Sequence, residues 1–159
     1  MADNLEELLR AQLSLYNNLL ESAGQKKVHL LSNNIEALRR VTVCENGLIG
    51  KLQKLERERE KASSDLAGRL HISAANLTLA DLISRIDDTS ARNRLDDLRK
   101  RLRGAMDSLK TVNEQNRTLI NQSLEYLDYT MNLVRSAVAG PVYAGSEEIP
   151  GQVFFDARG

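Results

Sequence analysis

The chain has 159 residues and a formal net charge of zero, with 22 Lys and Arg against 22 Asp and Glu. A duplex-binding domain or a protein that sits on anionic membranes would carry a basic excess, so neither nucleic acid nor a membrane surface is an expected partner. Aromatics make up 4% of the sequence and Trp is absent, which argues against a β-sandwich or a deep aromatic ligand pocket and leaves a composition suited to long helices.

The N-terminal "MADNLEELLR" is acidic and amphipathic and lacks the apolar core of a signal peptide. No apolar run approaches the ~18 residues of a membrane helix. The single cysteine, Cys44, has no internal disulfide partner and suits a reducing compartment. These features predict a soluble cytoplasmic chain with no membrane insertion.

Leu5, Leu8, Leu9, Leu13, Tyr16, Leu19 and Leu20 recur at three- and four-residue steps and predict a first helix from about Asp3. Gly24 and the "SNN" stretch at 32–34 are the two candidates for its end. The later turn is favoured because it gives helices of roughly 30 and 35 residues, about 45 and 52 Å long, which match as an antiparallel hairpin requires. Gly24 then costs about 1 kcal/mol inside the first helix. Asn33, with Glu36 three positions on, resembles a capping box for the second helix. Its packing stripe is read as Ile35, Leu38, Val41, Leu48, Ile49, Leu52 and Leu55. Asn46-Gly47 lacks flanking strand pattern and reads as a weak point within this helix. Cys44 reads as a small half-buried hydrophobe.

The second helix fades near "AGRLHIS", and a short element follows at "LTLADLISRIDD". Thr78 as N-cap, Asp81 at the third helical position, and Leu77 opposite Leu82 sign its start. One very long helix is then expected from about Ser90 to Ala137. Its stripe runs Ala91, Leu95, Leu98, Leu102, Ala105, Leu109 and Val112, meets Asn116, and continues through Ile120, Leu124, Leu127, Met131 and Val134. Three consecutive steps of four around Asn116 are a stutter, which predicts a change of partner geometry there. Gly140-Pro141 stops the helix.

The expected fold is therefore all-α: a long antiparallel helical hairpin plus a third long helix, forming a coiled-coil-like three-helix bundle with a short connecting helix. The bundle is assigned residues 1–139 and a flexible C-terminal tail residues 140–159. Both prolines and both phenylalanines lie in that tail. Ordering each of its residues costs roughly 1–2 kcal/mol, whereas burying Tyr143, Phe154 and Phe155 contributes about 1.5–3 kcal/mol apiece. The tail is therefore expected to order only against another surface.

No catalytic, metal-binding or phosphate-binding constellation is present in the sequence: His29 and His71 stand alone, and Cys44 has no nucleophile context. An enzyme is not expected, nor a cofactor. The basic cluster Arg92, Arg94, Arg99, Lys100, Arg101 and Arg103 encloses Asp96 and Asp97 and reads as a salt-bridged solvated helix rather than a phosphate-binding face. Leu124, Tyr126, Leu127, Tyr129, Met131 and Val134 make the last quarter of the long helix apolar on more than one stripe. They are candidate partner-binding residues, together with Tyr143, Phe154 and Phe155.

The segment "LLESAGQKKVHLLSNNIEALRRVTVCENGLIGKLQKLERERE", the short "LTLADLI" and "NRTLINQSLEYLDYTMNLV" resemble the FlgN family of flagellar export chaperones along essentially the whole chain. Asn34 stands where the family often has Asp at the hairpin turn, and Tyr143 and Gly145 fall at altered spacing in the tail. The resemblance implies a cytoplasmic chaperone that binds the terminal helices of flagellar hook-associated proteins through its C-terminal part, prevents their premature assembly and delivers them to the export gate. A structural coiled-coil adaptor that pairs with itself as a homodimer is the alternative.

Overall fold

The computed structural model describes residues 2–72 and 77–140. They form four helices, α1 (Ala2–Leu31), α2 (Ile35–Arg69), α3 (Leu79–Ser84) and α4 (Thr89–Ala139), with no strand among the described residues. The chain divides into two compact units, residues 1–123 and 124–159, with the division falling inside α4.

Local signals set the helix ends. Gly24 lies within α1, and the hairpin turns at residues 32–34. Asn33 takes a left-handed backbone (φ 52°). Its N–H donates to Leu30 O and that of Asn34 to His29 O, the paired bonds of a Schellman ending. Because Asn33 closes α1 in this way, the cap of α2 falls one residue later than the Asn33–Glu36 spacing suggests: Asn34 Oδ1 accepts from Ala37 N at 3.1 Å. α2 ends by the same device. His71 adopts φ 54°, its N–H donates to Gly68 O, and Ile72 N–H donates to Ala67 O. Asn46-Gly47 does not interrupt α2.

Thr78 and Asp81 form the expected capping box of α3, with each side chain bonded to the other's backbone N–H. At the start of α4 the Asp88 carboxylate accepts from Ser90 N and Ala91 N, and Asp88 O receives Arg92 N–H. Gly140, at φ 61°, follows the last residue of α4 in the conformation that glycine adopts without a Cβ penalty.

Within the first unit, side-chain bonds fix the directions of the long helices. Gln12 Nε2 donates to Glu56 Oε2 at 2.5 Å, and Lys26 pairs with Glu45, so α1 and α2 are antiparallel. Arg94 reaches Glu6 at 2.9 Å, and Asn116 Nδ2 donates to Ala23 O at 2.9 Å, so α1 and α4 are parallel. The apolar core concentrates where α3 closes it: Leu5, Leu9 and Leu13 of α1, Ala67 of α2, Leu82 and Ile83 of α3, Ile86 just beyond it, and Ala91, Leu95, Leu98, Leu102 and Ala105 of α4. Towards the hairpin the interior becomes polar, with Ser22, Glu45 and Asn116 buried beside Leu19, Ala23 and Val41.

Several residues assigned to the α2 stripe turn outward. Ile35, at the first turn of α2, and Ile49 are exposed, and Cys44 is exposed rather than half-buried. Ile35 and Cys44 lie about 60–120° around the helix from Val41 and Glu45, which hold the inward line of α2, whereas Ile49 lies about 40° from Glu45 and lines a depression with Leu19 and Leu109. Four of the six basic side chains of the α4 cluster are paired in place: Arg94 with Glu6, Arg99 and Lys100 with Asp96, and Arg101 with Asp97.

Two predictions follow from this packing. Leu95→Ala removes a side chain with no solvent exposure at the centre of the core and should lower unfolding free energy by about 2–5 kcal/mol in urea denaturation. Leu127→Ala, at an exposed position, should stay within about 0.5 kcal/mol of the native chain. The second concerns acid. Hydrogen bonds from Arg10, and then from Arg94, hold the Glu6 carboxyl below the ordinary carboxylate range. Such a group stabilises the fold fully above the ordinary glutamate pKa of about 4.3, and loses that contribution as pH falls towards its lowered folded value. Thermal melts from pH 7 to pH 3 should show a shallower acid limb for Glu6→Gln than for the native chain.

Candidate helical docking face

The helical stretch of the second unit, residues 124–139, has no buried side chain. Every α4 residue singled out in the sequence as a partner contact lies open to solvent: Leu124, Tyr126 (69% exposed), Leu127 (56%), Tyr129, Met131 and Val134. Tyr143, Phe154 and Phe155 lie outside the described residues. Leu133 and Val138 are equally exposed and belong to the same surface. Sequence reading missed them because neither was needed to continue the stripe through Leu127, Met131 and Val134.

At about 100° per residue, Leu124, Leu127, Met131, Val134 and Val138 share one face of the helix. Tyr126, Tyr129 and Leu133 lie about a third of a turn or more to one side, and Asp128 and Arg135 lie on the other. Apolar side chains thus cover more than half of the circumference. A surface helix packed on one neighbour needs only a stripe of about 100°, and a helix that is apolar over a wider arc is built to be enclosed from two sides. A contiguous exposed surface of this kind marks an interaction site. Tyr and Met are suited to it, since the Tyr ring packs while its hydroxyl stays hydrated and the Met thioether adapts to irregular partners.

Nothing in this stretch is arranged for bond chemistry. Among the described residues no group of three His, Cys, Asp or Glu side chains could hold a metal ion. No described helix is long and apolar enough to cross a membrane. What the face offers is apolar area with hydroxyls and amides at its margins. The hydroxyls of Thr130 and Ser136 are turned back onto the carbonyls of Tyr126 and Asn132, so the helix satisfies these groups itself and presents their carbon atoms outward.

No curated protein and no solved structure matches the chain. The model of one protein family, FlgN protein, matches residues 1–147. The match takes in all four helices and Tyr143 and stops short of Phe154 and Phe155. With more than nine-tenths of its length matched, the chain belongs to the FlgN family of flagellar chaperones.

Proposed function

We propose that the chain is a cytoplasmic export chaperone that binds the terminal helices of hook-associated proteins, keeps them from assembling prematurely, and delivers them to the flagellar type III export gate. The observation that carries this reading is the solvent-exposed, doubly apolar face of residues 124–138 in a chain of this family. An amphipathic cargo helix that would aggregate when free can bury its apolar side there, in a helix-on-helix mode that needs no active site. Release at the gate requires modest affinity, and a face of Leu, Met, Val and Tyr without charged anchors at its centre supplies that.

In this reading residues 1–139 form the folded body. Residues 140–159 are a tail that brings Tyr143, Phe154 and Phe155 to the cargo, to the gate, or to both. The self-pairing adaptor function is the weaker reading, because family membership supports a chaperone.

Two variants test the proposal against a synthetic peptide of a hook-associated protein's terminal helix. Leu127→Asp with Met131→Asp places two carboxylates in the centre of the face. It should weaken peptide binding at least about tenfold by calorimetry, while the melting temperature stays within about 2 °C because both sites are exposed. Unchanged affinity would remove the face from the function. Phe154→Ala with Phe155→Ala should weaken binding to the same peptide or to the soluble domain of the export gate by about tenfold, again without loss of stability. A drop of several degrees in melting temperature with affinity intact would instead make the tail a structural strap.

A further inference from the structure

Between α2 and α4 runs a seam floored by α1, within the first unit. Two depressions follow one another along it, of about 270 and 310 Å³. Met106 of α4 lines the first, Ile49 of α2 and Ile120 of α4 line the second, and all three are exposed. At the base of the first lies Gln12, and of the second Asn116, only 2% and 3% exposed. Gln12 Oε1 and Asn116 Oδ1 have no hydrogen-bond partner among the described residues. Asn116 is held against Ala23. Gln12 precedes Ala23 on α1 by about 16 Å, so the two acceptors are that far apart along the seam. A buried acceptor without a donor is costly. Two of them beneath apolar walls are the condition of a groove that a further segment carrying donors completes.

The α4 wall of the seam is basic along its length. Arg103 lines the first depression and Arg117 the second. Lys110 stands midway between them, and each step of seven residues returns to within about 20° of the same side of a helix. All three are exposed, and none makes an ion pair among the described residues. They form a row about 21 Å long at heptad spacing. Flanking charges so spaced choose the partner of a coiled-coil helix by opposite charge. The α2 wall does not answer them, because Glu45 is taken up by Lys26 and Glu56 by Arg59. A second copy of the chain does not answer them either. Nowhere in the sequence do acidic residues stand at three successive seven-residue positions; Asp107 and Glu114 are followed by Asn121.

We propose that the seam is a second docking groove, for an amphipathic helix of a partner protein that carries acidic side chains at three successive seven-residue positions. Its carboxylates face Arg103, Lys110 and Arg117, and its apolar side fills the two depressions. Amide or hydroxyl donors at the level of Gln12 and Asn116 meet the two free acceptors. Helices α1, α2 and α4 then pack around a fourth helix, as in a four-helix bundle. The inference goes beyond binding at residues 124–138 and makes no use of that face.

The probe is a synthetic helical peptide of about 21 residues, long enough to span the basic row. It carries Leu and Ile on its packing side, Gln at two packing positions about 16 Å apart, and Glu at three seven-residue positions along one edge. Calorimetric titration into the full chain should show one peptide bound per chain. Replacing the three Glu by Lys should weaken binding at least about tenfold. Arg103→Glu, Lys110→Glu and Arg117→Glu together should weaken the Glu peptide at least about tenfold and bring the Lys peptide to within about threefold of the native pairing. The three positions are exposed, and circular dichroism checks the fold. Should the triple reversal unfold, Arg103→Gln with Lys110→Gln and Arg117→Gln takes its place and should make the two peptides bind alike. Leu127→Asp with Met131→Asp should leave the Glu peptide affinity unchanged. No binding, equal binding of both peptides to the native chain, or indifference to the changes in the basic row would each overturn the proposal. Loss of the Glu peptide in Leu127→Asp with Met131→Asp would overturn it too, by moving the peptide to the distal helix. So would self-association of the chain that the triple reversal abolishes, since the seam would then belong to a second copy. Failure of a hook-associated peptide to bind residues 124–138 leaves all these outcomes unchanged, so the two readings fail separately.

Discussion

The parallel register of α1 and α4 is the constraint from which the rest of the molecule follows. Arg94 bonds Glu6, and Gln115 bonds Lys27, each 88 residues apart in sequence. On that register the last residue of α1, Leu31, is level with residue 119 of α4. α1 has thirty residues and α4 fifty-one. From residue 124 onward the large apolar side chains of α4 are exposed.

That register depends on a few polar bonds as well as on apolar area. The core around Leu5, Leu9, Leu82 and Leu95 supplies most of the hydrophobic driving force, at about 1.5–3 kcal/mol for each fully buried side chain. Leu stripes alone tolerate slippage by a heptad, whereas buried polar groups do not. The buried Asn116 amide donates to the Ala23 carbonyl, and Lys26 pairs with Glu45 across the hairpin, so each contact fits one alignment of its helices. Gln12 and Glu56, with Arg59 beside them, add a third such point; the Arg59 hydrogen bond holds the Glu56 carboxyl below its ordinary range.

A chaperone of this design has to keep apolar surface accessible without aggregating. The first unit is a folded body whose helix ends are closed by local caps. The face itself is broad and uncharged at its centre, which favours adaptable contacts over tight ones.

The helix ends and the helical lengths were legible in the sequence because they depend on short-range chemistry. Thr78 and Asp81 form the capping box their spacing announces, Gly24 is tolerated inside α1, and Gly140 follows the end of α4. Where two neighbours compete for one role the local signal fails: Asn33 and Asn34 are both cap formers, and only the left-handed closure of α1 at Asn33 leaves the capping of α2 to Asn34. The tertiary structure alone decided burial. Leu95 and Leu127 occupy equivalent places in one unbroken pattern of three- and four-residue steps, yet one is at the centre of the core and the other is more than half exposed. Periodicity reports which residues share a face of a helix. Whether that face is covered depends on which side chains of other elements pack on it, and no spacing within the helix reports that.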